Sequence, residues 1–230
     1  MIEHFLPQAS SFAHDVDSLF SLITYVAGFW FIAAELVIFY MLFRFRRRDG
    51  VKAHYIAGTK KSEKKWLSRP HYLFLLCDIV LIVGAVTVWG KIKQNTLPPA
   101  DLQIRVIGQQ WAWTFVHPGV DGKLDTEDDI ITIDDLHVVK DKTYHFLLES
   151  KDVVHSFSVP VFRLKQDAVP GRVITGWFQP ILTGTFDIQC AEMCGIGHGL
   201  MGARITIETE ADYMAWMKQQ PKTGAIVAAK

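Results

Sequence analysis

Apolar residues fall along this chain in two different rhythms. Residues 20–43, FSLITYVAGFWFIAAELVIFYMLF, form a nearly unbroken apolar run. As a helix, a run of this length spans about 36 Å, enough to cross the hydrocarbon core of a bilayer. A second run covers His71–Gly90. Between them lie Arg44, Arg46, Arg47 and Arg48, then five lysines and Arg69 within residues 52–69. Loops this basic stay on the cytoplasmic (or matrix) side of a membrane. The pattern predicts a transmembrane hairpin with helices over about 20–43 and 71–90. The N-terminus and everything after residue 91 then lie on the outer side. Met1–Asp17 has neither the positive start nor the small-residue cleavage site of a signal peptide, and is expected to remain in the mature chain.

After LPPAD, a linker rich in turn residues, the rhythm changes. Leu102, Ile104 and Val106 alternate with polar residues, the period of a half-buried strand. Similar short runs recur at 111–117, 130–139, 143–149, 153–159, 172–178, 184–190 and 203–209, separated by Gly, Pro and Asp. That spacing predicts a β-sandwich or barrel. Residues 210–220 read as a closing helix with Tyr213, Trp216 and Met217 on one side. The tail, PKTGAIVAAK, reads as loose. The expected division is 1–94, N-terminal segment and hairpin, and 95–230, an outer β domain.

Composition supports this picture. Half of the residues are hydrophobic, which is high for a wholly soluble protein. The formal net charge is zero, so bulk charge makes no case for nucleic acid. Three cysteines do not make a disulfide scaffold, and Cys77 lies inside the second apolar run as a small hydrophobe. Glu35 and Asp78 interrupt the two runs. Charges there are costly and usually face a partner. Counted from the inner ends of the runs, both lie about 10–12 Å deep, so they are expected to meet across the hairpin or against another subunit, as a structural hydrogen-bonded contact rather than, as the alternative, a proton path.

Chemistry concentrates in FDIQCAEMCGIGHGLMGA, residues 186–203. Cys190, Cys194, His198 and Met201 are a soft ligand set suited to copper. A single blue-copper site uses one Cys, two His and a weak Met. His155, in VVHSFSVP, is the natural second histidine. Cys190 is then one thiolate more than one copper requires. A loop-borne copper set near the end of a sandwich selects a cupredoxin-like Greek-key fold. The competing reading of Cys190 and Cys194 is a disulfide.

The pattern C-x-E-x-C-x-x-x-H-x-x-M, preceded by H-S-F-x-V-P, resembles subunit II of haem–copper oxidases of the cytochrome c oxidase type. The resemblance implies a dinuclear copper centre, CuA, bridged by Cys190 and Cys194. His155 and His198 would each bind one copper, with Met201 and the Glu192 carbonyl as weak axial ligands. It further implies a Mg²⁺ held by the Glu192 side chain at the boundary with subunit I. The chain would accept electrons from cytochrome c or a similar soluble donor and pass them to haem in subunit I. Oxygen would be reduced there, coupled to proton translocation, with subunit III and membrane lipid as further neighbours. Haem would sit only in a partner, because this chain has no C-x-x-C-H. The host would be a bacterial cytoplasmic or mitochondrial inner membrane.

Three further segments carry the resemblance. GQQWAWTF, residues 108–115, is similar to the family's G-x-Q-W-x-W, which implies that an electron enters at Trp111. Here Ala112 replaces the usual aromatic. EKKWLSRP, residues 63–70, matches E-x-x-W-x-x-x-P and implies a proton-uptake role for Glu63; without that match Glu63 is a solvated charge or a partner of Lys64 and Lys65. Pro70 fits the first turn of a helix. FRLKQDAVPGR, residues 162–172, implies that Arg172 faces subunit I and its haem. The acidic loop at Asp121, Asp125, Glu127, Asp128 and Asp129 leaves three readings open: solvation, docking of a basic donor, or Ca²⁺ binding, though without EF-hand spacing. The other functional classes are a copper-free quinol-oxidase subunit, a membrane-tethered copper carrier, and a nitrous or nitric oxide reductase sharing the copper motif.

Overall fold

The computed structural model describes residues 5–52, 55–93 and 97–221. Most of the tail, and the border expected at 94/95, lie outside these residues. The chain forms two compact units, one of residues 17–91, the other of residues up to Val16 together with those from Ile92 onward.

The first unit is built from α1 (Ala13–Arg44) and α2 (Lys61–Lys93). Both are long and apolar enough to cross a membrane, and their apolar side chains are exposed. They run antiparallel. The Trp30 indole N–H donates to Cys77 Sγ at 3.4 Å, and its ring lies 4.1 Å from Phe74. Nearer the other end, Gly84 faces Leu19 and Leu22.

This register corrects two expectations. Carried along the helices, it puts Phe43 level with the first turn of α2 rather than with His71. Glu35 and Asp78 are therefore offset by roughly two turns, about 10 Å. No hydrogen bond or ion pair joins them. The depths counted from the apolar runs failed because α2 begins ten residues before its own apolar run. For the same reason Pro70 lies inside α2, not in its first turn.

The second unit is a sandwich of two five-stranded sheets. One has the order β3-β2-β1-β5-β8, the other β4-β10-β9-β6-β7. The strands are β1 (Leu102–Gln109), β2 (Ala112–His117), β3 (Ile130–Ile133), β4 (Asp135–Val139) and β5 (Tyr144–Ser150). They continue with β6 (His155–Val159), β7 (Leu164–Ala168), β8 (Ile174–Phe178), β9 (Gly184–Cys190) and β10 (Gly202–Glu208). The chain crosses between sheets at β3–β4, β4–β5, β5–β6, β7–β8 and β8–β9, and two parallel pairs, β1/β5 and β4/β10, sit among antiparallel ones. This is the cupredoxin-like Greek-key sandwich expected behind a helical hairpin.

Two strand readings change. Residues 130–139 look like one run because strand formers, at 130–133 and 136–139, flank Asp134 and Asp135 on both sides. Asp134 takes a positive φ of 55° and breaks the run, sending β3 and β4 to opposite sheets. Its carboxylate accepts the Trp113 N–H at 2.7 Å. β7 went unread because LKQDA carries a single large apolar residue; it pairs with β6 at the sheet edge.

Inward-facing residues of both sheets interdigitate around Trp113, Phe115, Phe146, Phe157 and Phe178, all fully buried. The segment before α1 belongs to this unit. Ala9 N–H donates to the Val161 carbonyl and the Ala9 carbonyl accepts from Ile181, so backbone polar groups are paired on both sides. α3 (Glu210–Gln219) closes the fold. Thr209 Oγ1 accepts the Asp212 N–H as its N-cap. Trp216 stacks on His137 with ring centroids 4.1 Å apart, while Tyr213 is buried.

The tightest point in the core is Gly176 on β8, where a Cβ would run into the Phe146 ring. That ring is held by Phe157 and Phe178 and has nowhere to turn. Gly176→Ala is expected to cost about 1–3 kcal/mol through overpacking. A thermal melt of the detergent-solubilised chain checks this; an unchanged midpoint would show that Phe146 can yield.

Candidate metal centre

The ends of three strands converge at one edge of the sandwich. His155 begins β6, Cys190 ends β9, and Met201 directly precedes β10. The loop between Cys190 and Met201 is tied at its base: Cys190 N–H donates to the Met201 carbonyl at 3.0 Å, and Ala191 N–H to the Ser156 carbonyl at 3.0 Å. A short 3₁₀ turn, His198–Leu200, bends the loop back over the strand ends.

The predicted ligands come together. Cys190 Sγ and Cys194 Sγ lie 3.7 Å apart as free thiols, which answers the disulfide reading. His155 Nδ1 is 4.0 Å from Cys190 Sγ, and His198 Nδ1 is 3.6 Å from Cys194 Sγ. Met201 Sδ is 3.8 Å from Cys194 Sγ. The Glu192 carbonyl accepts from the Cys190 thiol at 3.3 Å. The ligand atoms of His155, Cys190 and Cys194 all fall within 4.8 Å of one another. His155, Cys190, Cys194 and Met201 are buried and His198 is partly so.

The donor set fits a soft metal. Burial, reinforced by the adjoining Cys190, pushes the Cys194 thiol up to about 11. A thiol raised in this way gives up its proton more readily beside a positive charge, and a soft cation supplies it.

Sequence reasoning missed one residue, Asp152. Its carboxylate meets His155 Nε2 at 2.8 Å. The same group accepts from Gln110 N–H and Val153 N–H, each at 2.7 Å. Burial alone would raise this acid; the Gln110, His155 and Val153 hydrogen bonds hold it below the usual carboxylate range. With Nε2 donating to Asp152, the Nδ1 lone pair faces the thiols, a carboxylate–histidine arrangement that orients a metal ligand. The signal was D-x-x-H, too common to stand out before the loop was folded.

Trp111 lies on the ligand loop. Its indole N–H donates to the Cys194 carbonyl at 3.2 Å, and Gln110 Nε2 donates to the same oxygen at 2.8 Å. Its ring covers Gly197, where any Cβ would collide with it. Trp111 is 38% exposed, so one edge of the indole reaches solvent while the other touches a ligand's backbone. Met193, Ile196 and Leu200, on the ligand loop that Trp111 contacts, are exposed apolar residues.

The other predicted site residues stand apart. Arg172 is exposed beyond the Gly171 turn; its N–H donates to the Val169 carbonyl, while its guanidinium has no partner among the described residues. Glu63 lies in the first turn of α2 and takes the Lys60 N–H at 3.4 Å, rather than pairing with Lys64 or Lys65. The Glu192 side chain is partly exposed. In the acidic loop, Arg105 grips Asp125 through two bonds of 2.8 and 2.9 Å and reaches Glu149 at 2.6 Å. The Thr126 hydroxyl, at 2.7 Å, leads in holding Asp128 below its usual range, while burial raises Asp129.

A sandwich carrying a Cys–Cys–His–His–Met cluster, in a chain with two helices long and apolar enough to cross a membrane, is the arrangement of a membrane-anchored protein with a candidate soft-metal site. Residues 102–209 match the family described as "Cytochrome C oxidase subunit II, periplasmic domain". The alternative cytochrome c oxidase subunit 2 of Bradyrhizobium diazoefficiens is 37% identical over 227 residues, covering 89% of this chain and 80% of the relative. Cytochrome c oxidase subunit 2 of Cereibacter sphaeroides is 29% identical over 246 residues, covering 94% of this chain and 79% of the relative. The crystal structure of the periplasmic domain of subunit II of cytochrome oxidase from Bradyrhizobium japonicum is similar at a TM-score of 0.48 and 28% identity, over 54% of this chain and 95% of that one. The chain belongs to the cytochrome c oxidase subunit II family. It is a membrane protein with an outer-side domain, and the family implies copper.

Two outcomes follow from this geometry. Asp152→Asn is expected to weaken copper binding about 10–100-fold, because His155 loses its charged orienting partner; competition against a chelator measures it, and wild-type affinity would exclude the role. Copper affinity should also depend on pH. The Cys194 thiol keeps its proton below about 11, and metal binding must displace it. Apparent affinity should therefore rise at least about tenfold per pH unit through the neutral range. A flat profile in the same titration would show that the thiol is already ionised.

Proposed function

We propose that this chain is the subunit through which electrons enter a cytochrome c oxidase-type complex, using a dinuclear CuA centre. The observation that carries this reading is the paired arrangement of ligands. Each of two adjacent, unbonded thiols has its own imidazole, His155 at Cys190 and His198 at Cys194. One copper needs a single thiolate; two thiolates with two imidazoles suit two. Met201 and the Glu192 carbonyl complete the set as weak donors. Bound copper supplies one-electron transfer.

The remaining work falls to the chain. Two strand ends and a tied loop hold the donors rigidly, which limits rearrangement when the charge changes. The core beneath His155 and the burial of Cys190, Cys194 and Met201 keep water from the sulfurs, and burial of this kind tunes a centre's potential. Trp111 joins solvent to the Cys194 carbonyl by one hydrogen bond, a short route inward from a donor on the surface. The exposed apolar residues of the ligand loop suit a soluble partner such as cytochrome c. Glu192 offers a hard side-chain oxygen beside a soft centre, which suits a Mg²⁺ shared with subunit I. The unpartnered Arg172 guanidinium is available for a carboxylate or propionate there. Glu63 is placed to take up protons at the inner end of α2. Subunit I would receive the electrons and reduce oxygen, with subunit III completing the complex. Both termini lie outside, as the basic loop requires.

Electron paramagnetic resonance of the copper-loaded full chain tests the centre. The expected signal is one unpaired electron shared by two equivalent copper nuclei, collapsing to a single-copper pattern in Cys190→Ser. A single-copper signal from the wild type would assign the protein to the carrier class instead.

A further inference from the structure

The hairpin unit contains a groove that the electron-transfer reading does not use. It has a volume of about 330 Å³ and is lined by Trp30, Lys65, Trp66, Arg69, Pro70 and Leu73. Trp30 comes from α1, and its indole is fixed by Cys77 and Phe74. The other five come from the first turns of α2.

Lys65 and Arg69 are four residues apart, so their side chains share a face about 6 Å apart along the axis. Neither has an ion-pair or hydrogen-bond partner among the described residues. Glu63, the nearest acid in sequence, forms no ion pair with either; one of its oxygens accepts the Lys60 N–H. The walls below this rim are two indoles, a proline ring and a leucine. A cationic rim over an apolar wall suits an amphiphilic anion. Inorganic phosphate has no use for the wall, and a zwitterionic lipid brings its own cation to the rim. Trp66 is 86% exposed beside the basic loop, the pattern of the headgroup layer on the inner side of a membrane.

We propose that this groove selectively binds one anionic phospholipid of the phosphatidylglycerol class. Its phosphate lies between Lys65 and Arg69, and an acyl chain runs along Trp30 and Leu73. The proposal rests on the reading that the hairpin spans a membrane.

Native mass spectrometry of the full chain in detergent, titrated with phosphatidylglycerol or phosphatidylcholine, tests it. The wild type should retain one phosphatidylglycerol in preference to phosphatidylcholine. Lys65→Gln with Arg69→Gln should weaken that first binding event about tenfold or more, each cation near a phosphate surface contributing substantially. Arg47→Gln with Arg48→Gln removes the same charge outside the groove and should leave it unchanged. Equal loss in both double variants would reduce the effect to bulk charge and overturn the proposal. Equal retention of the two lipids by the wild type would also overturn it, and would assign the groove to packing against a neighbouring subunit's helix. That comparison decides the matter even if the Lys65/Arg69 variant fails to fold. Reconstitution into vesicles separates the two levels: a chain left in the aqueous phase refutes the membrane reading itself, whereas one that inserts but lacks lipid preference refutes only this site.

Discussion

Two thiols held side by side, buried and unbonded, are the constraint on which this structure turns. Sulfurs 3.7 Å apart in a dry pocket are costly as thiolates and prone to join as a disulfide. The fold keeps them in place with backbone rather than side-chain restraints. Cys190 is the last residue of a central strand, paired with Phe157 on one side and hydrogen-bonded to the Met201 carbonyl on the other. The loop beyond it can only close back on itself, which brings Cys194, His198 and Met201 over the strand end.

The surroundings follow from that placement. His155 has no freedom to turn because Asp152 holds its far nitrogen, and Asp152 is itself held by Gln110. Gln110 and Trp111 share the Cys194 carbonyl. A closed circuit thus runs from ligand to carboxylate to tryptophan and back to ligand. The glycine at 197 is part of the circuit, since only a missing side chain lets the indole lie so close. A rigid circuit of this kind fixes the orientation of the candidate metal ligands.

The hairpin is organised by a different physics. Its helices meet through aromatic and small residues, Trp30 on Phe74 and Gly84 on Leu19 and Leu22. Their outward faces are apolar, as a bilayer demands. The register set by these contacts decides which polar groups can meet. It separates Glu35 from Asp78, and it creates the groove beside Lys65 and Arg69.

Much was legible in the residues alone. The long apolar runs and the basic loop between them determined the hairpin, because crossing a bilayer needs length and composition only. Period-two alternation determined most strands, and the spacing of Cys, His and Met marked the residues that the fold brings together as a candidate soft-metal site. The tertiary structure decided what depends on distance between remote segments. Asp152 became a histidine-orienting group only when β6 was placed. The split at Asp134 and the edge strand β7 depended on sheet assignment, which strand propensity does not encode. The offset between the helices came from packing, since hydropathy locates a helix but carries no information about its register against a neighbour.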